Sequence, residues 1–293
     1  MEQHVIAYIH QVWGSRDRFP GPQPISIERR HFPILRRNLY VVCEKTDGER
    51  YMLVCTRWQG RNIAVLVNRS FSMFEVRVNF PKTAYEGTIL DGELYEGLLL
   101  VYDGIIIDGR PIGHMNFLDR YGAIEQFIKR IISMKSDPYR VRLKKFHALS
   151  DFAMFQRDYL PHVEQRVDGL IFTPVYEPVK LGTHDTMFKW KPRDHNTIDF
   201  QMKRDPNRPG VWRLYVQEKG QLVFESEIHN YEQPWFREDA IVECQYMIDD
   251  SPMWWRPLKL RNDKTHPNNR LTFYRTLVNI KEDIQMSEFN NIS

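Results

Sequence analysis

The stretch VVCEKTDGERYMLVC, from Val41 to Cys55, holds two apolar runs that are separated by charged residues and a glycine. Residues rich in β-formers and bounded by turn residues predict two strands. Asp47 and Gly48 predict a hairpin turn between the strands, because both residue types are favoured in turns. Taken alone, Lys45 beside this turn is a solvated charge. Whether it is instead a nucleophile depends on the rest of the chain.

The surrounding sequence predicts the fold class. From Leu39 to about Leu100 short β-rich runs follow one another, and LLLVY and GIIID continue the pattern. A helix is predicted from about Phe117, capped by Asn116, because apolar residues recur there at steps of three and four. A second helix is predicted after Ser150, followed by strands in VDGLIFTPV and TMFKWKP.

After Pro192 the pattern changes to short, evenly spaced strands, which are typical of a small barrel or sandwich. A terminal amphipathic helix is marked by Phe273, Leu277, Ile280 and Ile284. We therefore predict an α+β protein. Residues 1–194 form a domain of antiparallel sheets with flanking helices, and residues 195–265 form a smaller β-barrel domain. Residues 266–293 form a helix that packs back towards the first domain or closes the second.

The composition sets limits on the function. The 293 residues carry a net charge of +3, which permits an anionic partner without requiring one. Cys43, Cys55 and Cys244 are widely spaced, so neither a disulfide framework nor a zinc site is expected, and a reducing compartment fits best. The N-terminus does not have the pattern of a signal peptide. GLLLVYDGIIIDG is too short for a membrane span, so no membrane partner is expected.

Several short motifs have an ordinary structural explanation when each is considered alone. DGELYEG contains a second turn, and Glu93 is by default an exposed strand carboxylate. VDGLIF repeats the pattern with Asp168. In FKWKP the lysines Lys189 and Lys191 share one face of a strand, while Trp190 points to the other. A half-buried strand with one wet face explains that pattern.

Considered together, the motifs supply what nucleotidyl transfer through a covalent intermediate requires. The nucleophile must be a neutral amine, and a free lysine has a pKa near ~10.4, so cations near Lys45 would help by lowering it. Lys189 and Lys191 would do so, and they would also hold phosphate oxygens. Glu93 and Asp168 are oxygen ligands suited to Mg²⁺ or Mn²⁺, and the nearby Tyr102 could stack on a base.

These motifs resemble the ordered series of the covalent nucleotidyltransferases, the superfamily of DNA ligases, RNA ligases and mRNA capping enzymes. The stretches that carry the resemblance are EKTDGER, DGELYEG, LLVYD, VDGLIF and FKWKP. FPGPQPISIE, NTIDF (Asn196 to Phe200) and RNDKTHPN (Arg261 to Asn268) resemble elements of the capping guanylyltransferases. The resemblance covers most of the chain, from about Phe19 to Ile280.

The resemblance implies an mRNA 5′-cap guanylyltransferase whose second domain is an OB fold. Lys45 would attack the α-phosphate of GTP, release pyrophosphate and hold GMP, which then passes to 5′-diphosphate RNA to give GpppRNA. It also implies a metal ligand in Asp168, a metal or ribose ligand in Glu93, and a stacking partner for guanine in Tyr102. The implied contacts with the ribose or the phosphates are Arg50, Arg69, Lys189, Lys191, Arg261, Asp263 and Lys264.

The resemblance also implies partners. The chain has no room for an RNA triphosphatase beside its two domains, so a separate triphosphatase and a separate cap methyltransferase are expected. The tail of RNA polymerase II is a further candidate. A cellular enzyme would be nuclear, and a viral one cytoplasmic or in the virion. The basic tract from Lys129 to Lys145 is interpreted as a solvated helix end, with guidance of RNA as the alternative.

Two other functions stay open at this point. An ATP-dependent RNA or DNA ligase would adenylate the same lysine, although RNDKTHPN and NTIDF favour the capping branch. An inactive scaffold that binds nucleic acid is the second alternative, although no lysine or acid of the motif series is missing.

Overall fold

The computed structural model describes residues 1–247 and 254–292. The chain divides into two compact units. The first unit comprises Met1–Ile25, Phe32–Trp190 and Phe289–Ser293, and the second comprises Ser26–His31 and Lys191–Glu288.

The first unit is built on two sheets. The five-stranded sheet has, in spatial order, β1 (Gln23–Ser26), β12 (Thr183–Trp190), β11 (Val167–Pro174), β2 (Tyr40–Thr46) and β10 (His147–Ala148). The seven-stranded sheet has β5 (Met73–Glu75), β4 (Arg61–Asn68), β3 (Glu49–Trp58), β6 (Thr88–Tyr95), β7 (Leu98–Ile107) and β8 (Arg110–Pro111), with β9 (Arg140–Leu143) parallel to β7. Strands β2, β10, β11 and β12 pair antiparallel in the first of these sheets, and β3 to β8 pair antiparallel in the second.

The predicted hairpin at KTDG is wrong. Strands β2 and β3 lie in different sheets, so Asp47 and Gly48 carry the chain from one sheet to the other. Turn residues predict where a strand ends, but they do not identify the strand beside which the next one pairs. A Cβ atom on Gly48 would lie 2.5 Å from the carbonyl oxygen of Leu94, so glycine is required there for close approach of two backbones.

Helices cover the sheets of the first unit. The predicted helix is confirmed as α3 (Phe117–Lys129), and the backbone N–H of Asp119 donates to Asn116 Oδ1 at 2.9 Å, which confirms the cap. Helix α1 (Glu2–Trp13), which buries Val5 and Ile9, was not predicted from the sequence. The other helical segments of the first unit are α2 (Phe32–Arg37), α4 (Phe152–Met154), a π-helical turn (Phe155–Tyr159), and 3₁₀ turns at Lys82–Glu86, Leu149–Asp151 and Leu160–His162. The 3₁₀ turns at Arg29–His31 and Arg193–His195 lie in the second unit, and the one at Met286–Asn291 crosses the boundary between the units.

The second helix predicted after Ser150 is therefore a run of short helical turns, because α4, the π-helical turn and two 3₁₀ turns follow one another there. Within the described part of the chain, no helix combines the length and the apolar character that crossing a bilayer requires. The three cysteines are free and buried.

A buried ion pair explains why two predicted runs form one strand. LLLVY and GIIID are continuous in β7, which passes through Asp103 without a break. Arg120 of α3 donates from Nε and Nη2 to the two carboxylate oxygens of Asp103, at 2.8 and 3.0 Å. The acidic residue that interrupts the apolar run is thus neutralised and attaches α3 to the sheet.

Two other predictions need correction. Within the β-rich stretch predicted from Leu39 to about Leu100, the run MFEVRVNF, residues 73–80, forms a strand only over Met73–Glu75. The basic tract after Lys129 is not a solvated helix end throughout, because it continues into β9 and reaches Lys144, a buried side chain.

The second unit is a five-stranded antiparallel sheet with one long helix. Its strands are β13 (Thr197–Arg204), β14 (Val211–Glu218), β15 (Gln221–His229), β16 (Ile241–Tyr246) and β17 (Trp255–Leu260), in the spatial order β15-β14-β13-β16-β17. The first four strands have Greek-key order, since the fourth lies beside the first. The predicted α+β class is confirmed, and the five strands fit an OB fold, although a closed barrel stays a prediction.

The long helix α5 (Arg270–Glu282) belongs to the second unit, where Phe273 and Ile280 enter the core. Residues 26–31 join this unit because they attach to α5. Asn279 Nδ2 donates to the carbonyl oxygen of Ile27 at 2.8 Å, and the backbone N–H of Arg29 donates to Glu282 at 3.1 Å. By these contacts α5 packs within the second unit, whereas residues 289–293 belong to the first.

Replacing Gly48 with alanine should lower the free energy of unfolding by about 1–3 kcal/mol, because the new methyl group meets the backbone of β6. Gly122 is the matched control, since it lies inside α3 with no atom within 4 Å of an added Cβ. Gly122→Ala should raise the free energy of unfolding by about 0.5–1 kcal/mol. Urea unfolding measures both, and equal effects of the two changes would contradict the close approach at Gly48.

Candidate active site

The lysine of KTDG and the aspartate of VDGLIF form an ion pair. Lys45 Nζ donates to Asp168 Oδ2 at 3.0 Å, and both side chains are partly buried. Val167 pairs with Thr46 and Leu170 with Glu44, so Asp168 and Gly169 together oppose Lys45.

This arrangement is a β-bulge in β11, and it directs Asp168 towards the lysine. Gly169 has a φ of 143°, which explains why glycine follows the aspartate. The D-G pair of this motif therefore belongs to a bulge and not to a turn between strands.

Lys189 lies on the same face of the five-stranded sheet as Lys45. It pairs with Ile171, which pairs with Cys43, and Cys43 is two residues from Lys45 on β2. Trp190 points to the other face, where its ring lies 6.0 Å from that of Phe289. Lys191 follows β12 as the first residue of the second unit, so its predicted phosphate contact stays a prediction.

Glu93 of β6 brings a carboxylate from the seven-stranded sheet. Burial raises its pKa to about 7, against the opposing attraction of Lys45, Lys144 and Arg50 and a hydrogen bond from the backbone of Gly48. The sequence interpretation of an exposed strand carboxylate is thus wrong. At neutral pH this residue exists in both protonation states.

Arg50, Asp91 and Tyr102 form a buried network. Arg50 donates to both oxygens of Asp91, from Nε at 3.0 Å and from Nη2 at 2.5 Å, and Nη1 donates to the carbonyl oxygen of Pro22 at 2.8 Å. Tyr102 sits at a bulge in β7 and donates its hydroxyl to Asp91 at 2.9 Å. Burial raises the pKa of Tyr102 well above its usual value.

This network limits what two predicted residues can offer to a nucleotide. Three of the five N–H groups of Arg50 are used within the protein, and the hydroxyl of Tyr102 is bound. The ring of Tyr102 under guanine and the contact from Arg50 therefore stay predictions. Asp91 was missed, because the D-G pair of DGELYEG is typical of a turn, whereas both residues lie inside β6.

Lys144 is a second residue that sequence reasoning missed. Its side chain is 4% exposed, and Nζ hydrogen-bonds to Thr46 Oγ1 and lies 3.5 Å from Glu44 Oε1. Residues 44 and 46 flank Lys45 and point to the opposite face of β2, so Lys144 holds the nucleophile strand from behind. A clue was available, because Glu44 lies in an apolar strand and a buried acid needs a partner.

The remaining predicted residues are Arg69 in the first unit and Arg261, Asp263 and Lys264 in the second. Arg69 is exposed after β4, and the described residues give its side chain no hydrogen bond or ion pair. In the second unit, Arg261 donates to Asp263 at 3.0 and 2.9 Å, and both Arg261 and Lys264 bond to Asp199. Asp199 belongs to NTIDF and was not selected as a site residue from the sequence.

Asp168 and Glu93 are the two predicted metal ligands near Lys45, since Asp168 accepts a hydrogen bond from its Nζ and Glu93 is attracted by its charge. Within residues 1–247 and 254–292, no group of three or more His, Cys, Asp or Glu side chains is placed to hold a metal. Mg²⁺ commonly binds through one or two carboxylates together with substrate phosphates, so two protein ligands suffice when a nucleotide is present.

Two family models match consecutive parts of the chain. The model described as mRNA capping enzyme, catalytic domain, matches residues 2–193, and the one described as mRNA capping enzyme, C-terminal domain, matches residues 195–289. The chain belongs to the mRNA capping enzyme family. This membership confirms the prediction of a nucleotidyltransferase that acts as an RNA guanylyltransferase, with GTP and RNA as substrates.

Named relatives agree with the assignment. The mRNA-capping enzyme subunit alpha of Schizosaccharomyces pombe is 29% identical over 94% of this chain and 79% of its own length. The mRNA-capping enzyme of Danio rerio is 31% identical over an alignment that covers 86% of this chain but only 46% of that protein. Among solved structures, mycobacterial DNA ligase D complexed with ATP and MES overlaps 83% of this chain and 95% of its own. Its TM-score of 0.47 and identity of 14% carry no argument for a ligase function.

Removing the charge of Lys144 should cost about 3–5 kcal/mol of unfolding free energy, because Lys144→Ala leaves Glu44 buried without its cation. Lys145 is the matched control, since it is the next residue, is exposed and has its Nζ 5.2 Å from the ring centroid of Tyr159. Lys145→Ala should cost about 1 kcal/mol or less. Urea unfolding compares the two variants. Similar losses of unfolding free energy would contradict a stabilising role for the buried pair of Lys144 and Glu44.

Glu93 should make stability fall as the pH rises. Its pKa is about 7 in the folded protein and near 4.5 without burial, so the stability present below pH 4.5 is lost as the pH rises through 7. Between pH 5 and 8 the wild type should lose about 2 kcal/mol through this group.

Glu93→Gln removes the ionisation, so its advantage over the wild type in unfolding free energy should grow over the same range. Denaturant unfolding at several pH values measures this difference. A difference between the two proteins that does not change with pH would contradict the raised pKa.

Proposed function

We propose that Lys45 carries GMP in the guanylyltransferase reaction. Nζ forms a bond to the α-phosphorus of GTP while the bond to pyrophosphate breaks. A terminal oxygen of 5′-diphosphate RNA then attacks the same phosphorus, the N–P bond breaks and GpppRNA leaves. The observation that supports this is the position of Lys45, which shares a sheet face with Lys189 and pairs with Asp168.

Asp168 is proposed to orient the nucleophile. Its hydrogen bond from Nζ fixes the amine at the bulge of β11, and attack requires that the amine first give up a proton. Lys189, on the same face, is proposed to hold oxygens of the α-phosphate as negative charge grows on them. Arg50 and Arg69 are proposed contacts for the ribose or the phosphates, and Tyr102 is proposed to stack under guanine.

A divalent cation is proposed as the cofactor. Asp168 and Glu93 would hold Mg²⁺ or Mn²⁺ together with phosphate oxygens of GTP, where the ion supplies positive charge to the triphosphate. Because the pKa of Glu93 is about 7, binding of a cation near it should release protons at neutral pH.

The second unit is proposed to act on the leaving group. Arg261, Asp263 and Lys264 would orient pyrophosphate, and Lys191 would contact the α-phosphate. Since these residues belong to a different unit from Lys45, the proposal requires the units to close on the nucleotide and then to reopen.

Capping also requires activities that are proposed to come from other proteins. A separate RNA triphosphatase would supply the diphosphate end, and a separate methyltransferase would modify the cap. The name of the Schizosaccharomyces pombe relative, a subunit alpha, supports an assembly of more than one chain. The tail of RNA polymerase II is a proposed docking partner. The proposed location is the nucleus, or the cytoplasm or virion for a viral source.

Covalent labelling tests the role of Lys45. Incubation with α-labelled GTP and a divalent ion should label the wild type, and Lys45→Ala should reduce the label by at least about 100-fold, because the nucleophile is gone. Lys180→Ala is the matched control, since Lys180 pairs with Glu177 at the surface and should leave labelling unchanged. Labelling by ATP but not by GTP would instead support the ligase, and labelling by neither would support the scaffold.

A further inference from the structure

The second unit contains a buried carboxylate that binds Arg261 and Lys264 of RNDKTHPN, which is called the closing motif below. Asp199 lies on β13 with a side chain 7% exposed. Its oxygens accept hydrogen bonds from Lys264 Nζ and from Arg261 Nη1, the latter at 3.2 and 3.3 Å. Both cations come from the segment after β17, so NTIDF and RNDKTHPN meet at this carboxylate.

The backbone around Asp199 is fixed independently of its side chain. The backbone N–H of Asn268 donates to the carbonyl oxygen of Asp199 at 2.8 Å, and the backbone N–H of Asp199 donates to Asn268 Oδ1 at 2.7 Å. These bonds already join β13 to the end of the closing motif. The carboxylate is therefore not needed to hold the two segments together.

The two cations also face a polar cavity. Arg261 and Lys264 line a cavity of about 420 Å³ whose other charged lining residues are Arg237, Glu238 and Asp239, and Asp199 is not among the lining residues. Their side chains are 24% and 34% exposed. An anion that enters the cavity can thus reach two cations that are already paired with Asp199, which lies outside the cavity lining.

We propose that Asp199 is an internal counter-ion that competes with pyrophosphate for Arg261 and Lys264, and that it thereby weakens the binding of pyrophosphate and speeds its release. The proposal rests on the function proposed above, in which these cations orient the leaving group. Asp199 does not touch the substrate in this account, so it is a positioning residue.

The competition follows from the charges. Pyrophosphate carries more negative charge than one carboxylate, so it can take the cations while it is bound. When it leaves, Asp199 neutralises them again, and the cost of exposing two unpaired cations is avoided. Without that carboxylate, pyrophosphate would be retained. It could then attack the phosphorus of lysyl-GMP, break the N–P bond and re-form GTP.

A purely structural ion pair makes the opposite prediction. If Asp199 only positioned Arg261 and Lys264, its removal would disorder the cations, and pyrophosphate would bind more weakly. If Asp199 competes for them, its removal frees the cations, and pyrophosphate binds more tightly. The sign of the change in affinity distinguishes the two roles.

Calorimetric titration of the full chain with inorganic pyrophosphate tests this sign. Asp199→Asn should bind pyrophosphate about 10-fold more tightly than the wild type at low salt, and the gain should shrink as salt screens the charges. Asp239→Asn is the matched control. Asp239 lines the same cavity and pairs with Lys203, so its change should shift the affinity by about two-fold or less.

A rescue variant and a fallback keep the test decisive. Asp199→Glu restores the charge and should return the affinity towards the wild-type value. Should Asp199→Asn not fold, Asp199→Ser carries the same expectation. A folded neutral variant that binds pyrophosphate no more tightly than the wild type overturns the proposal.

The labelling assay separates this outcome from failure of the proposed function. A wild type that forms no lysyl-GMP refutes the function, whatever its affinity for pyrophosphate. Normal labelling together with unchanged pyrophosphate affinity in Asp199→Asn refutes only the role of Asp199. If the proposed function and the role of Asp199 are both correct, pyrophosphate should consume the lysyl-GMP adduct of Asp199→Asn at concentrations about 10-fold lower than for the wild type.

Discussion

At Asp47 and Gly48 the chain leaves the five-stranded sheet and enters the seven-stranded sheet, with no space for a side chain at the second residue. The backbone N–H of Gly48 also bonds to the carboxylate of Glu93. The crossing therefore brings Lys45, at the end of one sheet, close to an acid on the other. A larger residue at position 48 would push the sheets apart and separate the nucleophile from that carboxylate.

Ionised side chains around the site are held in pairs before any substrate arrives. Asp168 bonds to Lys45, Asp91 to Arg50, and Glu44 to Lys144. The last two pairs are almost fully buried and act on the strands that carry the site. The first is partly exposed, so water and substrate can reach it. In the proposed reaction a triphosphate meets Lys45 with its position already set by Asp168, which lowers the cost of ordering the amine.

The sequence predicted the α+β class correctly but missed how the strands pair around Lys45, and the roles of most site residues stay predictions. Motif residues could be identified because the chemistry demands a lysine, acids and cations in order, and Lys45 and Asp168 do meet. The hairpin could not be excluded, because turn residues say nothing about which strands pair. Lys144 was not recognised as a buried residue, because it lies in a run of basic residues and such runs are usually solvated. Its burial depends on the parallel pairing of β9 with β7.

Asp199 shows the same limit in the second unit. As one acid in NTIDF it has no distinguishing local pattern, and its role depends on a loop that is more than sixty residues later in the chain. Arg261 and Lys264 are neutralised by acids of their own unit, just as Lys45 is neutralised by Asp168 in the first. Each unit thus balances its reactive charges internally. An enzyme that must release a polyanion at every turnover benefits from this arrangement, because no step leaves a pair of partly buried cations without a counter-ion.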